Sequence, residues 1–272
     1  MKRNLLALYD LKSNSWKNVC VFVSKRKYYD CRLTQREFKR NVEVFWHLNE
    51  RFKCDIHAGY AELINCMKKD TRRFGKIHFL TVLRNPQERY ISEFEHVKRG
   101  ATWLKSIRSC LEQDIYSKTC YNKTKNWSSA NITEFLRCEY NLANNRQVRM
   151  LANYNKLGCN KLKCWLKTSN CSVEEKWQYD HELLESAKET LSSFSFFGLT
   201  EYQLLSFQLF EKTFEYKLRF SSSFPEQIES LGLKLLESEY KDFKNQINEN
   251  NHLDIEFYEF AKKLFFQRVY NM

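Results

Sequence analysis

IHFLTVLRNPQERYISEFEHVKRGATW, from Ile77 to Trp103, is the stretch from which the fold can be read. Its first seven residues, Ile77 to Leu83, are an apolar, β-branched run of the kind that makes a strand buried on both faces of a parallel sheet. Arg84 marks the exit from that strand. Asn85 is a good N-cap and Pro86 suits the first helical position, so the spacing predicts a helix from there to about Lys98. The unit is strand, tight turn, helix.

In open α/β sheets, ligands bind beyond the carboxyl ends of the strands, where helix N-termini offer free N–H groups and a dipole that favours anions. Arg84 stands at that edge, Ser92 follows two turns into the helix, and His96 lies one further turn along on the same face. An arginine and a serine so placed can share one phosphate, the first by a forked charge-assisted contact and the second by its hydroxyl. Spacing alone favours the plainer reading, an arginine on a rim and a solvated serine.

Arg84 with Ser92 resembles the 3′-phosphate motif of the sulfotransferases that use 3′-phosphoadenosine-5′-phosphosulfate (PAPS). The longer strings HVKRGATW (His96 to Trp103), YNLANNRQVRMLA (Tyr140 to Ala152), FFGLTE (Phe196 to Glu201) and LFFQR (Leu264 to Arg268) are similar, in the same order, to those of heparan sulfate 6-O-sulfotransferases. The likeness is best from Cys54 to Thr213. It implies an α/β protein with a P-loop-like sulfotransferase fold, a central, mostly parallel sheet flanked by helices. One domain over residues 1–272 is expected, with 1–53 divergent and its N-terminal part incomplete.

The resemblance also assigns roles. Sulfuryl transfer to a sugar hydroxyl needs a base near the acceptor oxygen, and a histidine suits because its pKa lies near ~6.5. His57, in CDIHAGYAEL, matches the place of the family's catalytic base, although Gly59 and Tyr60 stand where the family usually has Asp and Trp. A histidine capping the helix after it is the competing reading. His96 and Trp103 match positions that hold the glycan, Trp103 by stacking on a sugar ring and His96 by bonding a hydroxyl or sulfate. An interior aromatic is the plainer account of Trp103.

Departures from the family are equally visible. PAPS sulfotransferases wrap the 5′-phosphosulfate in an N-terminal strand-loop-helix rich in Lys, Gly and Thr. Here the first glycine is Gly59, and no such loop precedes it. Val19 to Lys27, a short apolar run followed by a basic turn, is the one segment that can stand in for it. Phe220 to Gly232 differs where a second nucleotide-contacting loop is expected. Two functions therefore stay open: a heparan sulfate 6-O-sulfotransferase using PAPS and no metal, or a truncated or non-catalytic descendant that binds heparan sulfate without transfer. For residues 1–272 as they stand, the missing loop predicts salt-sensitive heparin binding and no measurable transfer.

Composition agrees with an anionic partner. The net charge of +12 fits nucleic acid, acidic lipid or a sulfated glycan. No helix-turn-helix, zinc-finger or RNA-recognition signature is present, which leaves DNA or RNA the weaker alternative; the resemblance implies a heparin-like glycan and no nucleic acid. Lys98, Arg99 and the Lys25 to Lys27 cluster can add long-range attraction. Ten cysteines, none in a zinc-type CxxC pair, and sequons at Asn122, Asn126, Asn131 and Asn170 point to disulfides in a secretory lumen. Cys54 with Cys66 and Cys110 with Cys120 are candidate pairs. The resembled family consists of type II Golgi membrane proteins, whereas no run here approaches the ~20 apolar residues that span a bilayer.

Only 6 Gly and 2 Pro occur, so no internal linker is marked. Coarser readings place strands at Val19 to Val23 and Ser195 to Thr200. Helices are expected from Glu134 to Ala152, His181 to Phe194, Glu201 to Tyr216 and Leu253 to Val269, with a loop over Tyr116 to Ser129.

Overall fold

The structure is a computed structural model, and it describes residues 6–9, 59–61, 64, 77–100, 107–110, 113–116, 120, 127–128, 130–165, 170–215 and 231–272. His57, Trp103, Lys25 to Lys27, the expected strand at Val19 to Val23 and the Cys54–Cys66 pair lie outside them. So does Phe220 to Gly232 apart from its last two residues.

The architecture is mixed α/β and mostly helical. Strand β1 (Leu6–Tyr9) pairs antiparallel with β2 (Ile77–Leu83), and β2 pairs parallel with β5 (Phe196–Leu199) in the register Leu80 to Phe196 through Leu83 to Leu199. The sheet order is β1-β2-β5, so the parallel pair expected from the apolar runs is present and an antiparallel strand flanks it. A separate hairpin joins β3 (Ile107–Cys110) to β4 (Gln113–Tyr116).

Helix α1 (Pro86–Lys98) has the predicted bounds. The Asn85 side chain accepts from the N–H groups of Gln87 at 3.0 Å and Glu88 at 3.3 Å, and Pro86 occupies the first turn where no N–H is needed. Gly100, at φ +88°, supplies the left-handed residue that ends it. Tyr90, Ile91, Phe94 and Val97 all face one way, into a cluster with Trp127, Phe135, Tyr240 and Ile247.

The expected helix from Glu134 to Ala152 is instead two short ones, α2 (Ile132–Arg137) and α3 (Arg146–Leu151). Asparagines account for the break. Asn131 starts α2 earlier through a capping box with Glu134. Asn141 then donates to the Phe135 carbonyl and accepts from the Ala143 N–H, and Asn145 takes the left-handed conformation at φ 46°. Such local side-chain bonds compete with a continuous helix. Cys138, leaving α2 in extended backbone, bonds Cys120, so Cys120 does not pair with Cys110 as expected. Its disulfide fixes the approach to α2.

Short helices α4 (Tyr154–Leu157) and α5 (Cys159–Trp165) lead to a second disulfide, Cys164–Cys171. Helix α6 (Val173–Ser193) begins eight residues before the expected start, because Ser172 and Glu175 form a reciprocal capping box. A 3-10 turn, Thr200–Tyr202, separates β5 from α7 (Gln203–Phe214). The Ser206 hydroxyl of α7 accepts from the Leu199 N–H at 2.9 Å and lies 3.0 Å from the Leu199 carbonyl. A Cβ on Gly198 would stand 3.0 Å from the Ser206 Cβ, so any larger residue there would press on Ser206.

After α8 (Leu231–Ser238) and α9 (Lys244–Asn250), the chain closes with α10 (His252–Tyr270). Leu253, Phe257, Ala261 and Phe265 recur every four residues and are buried against Phe197, Leu183 and Leu191, with Phe260 and Leu264 partly buried alongside. This apolar stripe of α10 is core packing. Among the described residues no helix is long and apolar enough to cross a membrane.

Candidate active site

The carboxyl ends of β2 and β5 lie side by side, which brings Arg84 and Asn85 next to Thr200 and Glu201. Arg84 is buried, and its Nε donates to the Glu88 carboxylate at 3.1 Å. That bond, from residue i to i+4, ties the guanidinium to α1, in which Ser92 and His96 follow at further four-residue steps. Ser92 and His96 are both half-buried. The structure thus places Arg84 against the first turn of α1, with Ser92 and His96 further along the same helix.

The backbone around Arg84 is held by residues far away in sequence. Gln147 accepts from the Arg84 N–H and donates to the Arg84 carbonyl, both at 3.0 Å. Glu201 accepts from the Asn85 N–H at 2.7 Å, and its other oxygen accepts from the Tyr258 hydroxyl at 2.6 Å. Burial, reinforced by Glu201, raises the Tyr258 phenol far above its ordinary range and so keeps this donor protonated.

Gln147 is itself fixed by a reciprocal cap between two helices. Asp254, fully buried in the first turn of α10, accepts from the N–H groups of Gln147 at 3.0 Å and Val148 at 2.8 Å, at the start of α3. In return, the Asn145 side-chain oxygen accepts from the N–H groups of Leu253 at 3.1 Å and Asp254 at 3.3 Å, at the start of α10. Each helix caps the other. Burial pushes the Asp254 carboxyl up, while Arg89 beside it and the two backbone donors pull the other way. Arg89 Nε lies 3.5 Å from Asp254, and its other nitrogens donate to Glu93, Asn251 and the Ala143 carbonyl. Arg146 adds a second cation to Glu93 at 2.9 Å.

These contacts give the strings at Tyr140 to Ala152 and Phe196 to Glu201 a shared purpose: both end on the turn that follows β2. Sequence reasoning singled out Arg84 and Ser92 but not Gln147, Glu201, Asn145 or Asp254. A polar side chain within a helix signals nothing until its partner is known, and here the partners are between 57 and 116 residues away.

A sheet with an arginine at its parallel strand ends and a helix launched from the same turn is the arrangement expected for anion-bearing substrates. The model of the sulfotransferase family matches residues 12–261, and the chain belongs to that family. Within it, the chain is similar to heparan-sulfate 6-O-sulfotransferase 2 of Gallus gallus, with 37% identity over 260 residues, 89% of this chain and 61% of the relative. It is also 38% identical to heparan-sulfate 6-O-sulfotransferase 3-B of Danio rerio, over 88% of this chain and 57% of the relative, and 38% identical to heparan-sulfate 6-O-sulfotransferase 1 of Homo sapiens, over 88% and 59%. The chain spans about three-fifths of the length of these relatives.

Proposed function

We propose that the protein is a heparan sulfate 6-O-sulfotransferase, which moves a sulfuryl group from PAPS to the 6-hydroxyl of glucosamine residues. The observation that carries this reading is the placement of Arg84, bonded to Glu88 in the first turn of α1, at the carboxyl edge of a parallel strand pair in a chain of the sulfotransferase family. The 3′-phosphate of the donor fits that edge. Arg84 supplies a forked cation, Ser92 a hydroxyl, and α1 the positive end of its dipole. The P-loop-like fold, as one sulfotransferase domain, belongs to the same reading.

His57 is the base that takes the proton of the sugar hydroxyl as the oxygen attacks sulfur and the bond from sulfur to the bridging phosphate oxygen breaks. Adenosine 3′,5′-bisphosphate leaves with that electron pair. His96, one turn beyond Ser92, and Trp103 after the helix hold the glycan, while the net charge of +12 draws the polyanion to the surface. Transfer by residues 1–272 alone requires Val19 to Lys27 to take the place of the phosphosulfate loop. The Golgi lumen is the compartment consistent with the disulfides Cys120–Cys138 and Cys164–Cys171 among the described residues and with four sequons.

The test is incubation of the purified protein with radiolabelled PAPS and 6-O-desulfated heparin, followed by disaccharide analysis. The expected product carries label at the 6-position, against the transfer-free heparin binding that the missing loop by itself predicts for residues 1–272, and His57→Ala removes that label while retention on a heparin column persists. Heparin retention without any transfer by the unmodified protein overturns the enzyme in favour of a heparan-sulfate-binding protein. Substantial turnover by His57→Ala removes that residue from the reaction.

A further inference from the structure

Three backbone groups of the Arg84–Asn85 turn are tied by two side chains from remote segments: the N–H and carbonyl of Arg84 by Gln147, and the N–H of Asn85 by Glu201. We propose that Gln147 and Glu201 are positioning residues that hold this turn, and through it the Arg84 guanidinium, in the shape that receives the donor's 3′-phosphate. The inference rests on the reading that Arg84 binds that phosphate.

A carboxamide that satisfies both the donor and the acceptor of one residue fixes the two peptide planes on either side of its Cα. Gln147 does this for Arg84 as a neighbouring strand would, at the point where β2 has run out of partners. The clamp is rigid because its own base is rigid: Gln147 opens a helix whose first N–H groups sit on the buried Asp254. Glu201 is held likewise by the Tyr258 hydroxyl from α10. With the Cα direction set from one side and Nε set by Glu88 from the other, the long arginine side chain is ordered before a ligand arrives. Preorganisation of this kind raises affinity for the one group the arginine grips and leaves the rest of the nucleotide untouched.

That selectivity is measurable as the ratio of affinities for adenosine 3′,5′-bisphosphate and adenosine 5′-phosphate, by calorimetry on the whole protein. Arg84→Ala removes most of the preference for the 3′-phosphate. Gln147→Met, close in volume but without the amide, lowers the preference by about tenfold and moves adenosine 5′-phosphate affinity by less than about twofold. In an Arg84→Ala background Gln147→Met has no further effect on the ratio, because the two act through one contact. Glu201→Ala lowers the preference similarly, and Glu201→Gln, which can still accept from Asn85, restores it. The Glu201 pair decides the matter if Gln147→Met does not fold. Equal weakening of both nucleotides in Gln147→Met and Glu201→Ala, or an unchanged ratio while Arg84→Ala collapses it, overturns the positioning role and leaves the phosphate site standing. An unchanged ratio in Arg84→Ala overturns both.

Discussion

Replacing Asn145 tests the reciprocal cap on which the clamp stands. Asn145 holds φ 46° and ψ 39°, and its side-chain oxygen receives the N–H groups of Leu253 and Asp254 in a buried position. Asn145→Ala acts twice. Loss of the cap costs about 1 kcal/mol, within a range of ~0.5 to 2. A Cβ without a local polar partner in left-handed backbone adds roughly 1 to 2 kcal/mol. The sum is about 2 to 3 kcal/mol. Asn145→Gly loses the same cap but none of the backbone freedom, so it should cost roughly 1 kcal/mol less than alanine. Urea unfolding followed by far-ultraviolet circular dichroism, with disulfides intact, reads both. At a slope of about 2 to 3 kcal/mol per molar urea, alanine lowers the midpoint by about 1 M and glycine by roughly half to two-thirds of that. Equal midpoints for the two variants would remove the left-handed strain from the account. A shift below ~0.2 M for both would refute the cap itself.

Arg268 donates to the Ser192 and Phe194 carbonyls at the end of α6, at 2.9 and 3.0 Å, and stacks over Phe197 at 4.9 Å. Arg268→Ala should cost about 1 to 2 kcal/mol at this half-exposed site, and Arg268→Lys should recover less than half, since an ammonium cannot fork to both carbonyls. Thermal midpoints of the two variants check this, and full recovery by lysine contradicts the forked contact. Alkaline pH provides an independent probe. Burial raises the phenols of Tyr90, Tyr179, Tyr240 and Tyr258 above the ordinary value of about 10. Above that pH the unfolded chain holds fewer protons than the native one, so stability falls as pH rises. Absorbance at about 295 nm should show these phenols ionising together with unfolding rather than in a simple titration near pH ~10, where free phenols ionise. Independent titration of all tyrosines before any loss of helix would contradict their burial.

Local information in the sequence determined a good deal of this protein. The bounds of α1 follow from Asn85, Pro86 and the apolar steps that follow, and the two strands that pair in parallel, β2 and β5, were marked by predominantly apolar runs. Long strings such as YNLANNRQVRMLA carry the resemblance to heparan sulfate 6-O-sulfotransferases, which comparison with known proteins upholds at the level of the family. The placement of Arg84 at a strand exit and of Ser92 within α1 was legible for the same reason: both positions are set by neighbours in the chain.

Tertiary structure alone decided what holds that site. A periodic pattern through Glu134 to Ala152 reads as one helix, yet Asn141 and Asn145 spend their side chains on backbone groups of Phe135, Ala143 and Leu253, and the helix breaks. Cys120 bonds Cys138, 18 residues away, rather than Cys110, a choice that spacing alone does not make. Gln147, Glu201 and Asp254 are ordinary polar residues by spacing. They matter because folding buries them opposite backbone groups that need a partner, and no local rule tells which remote N–H a buried carboxylate will meet.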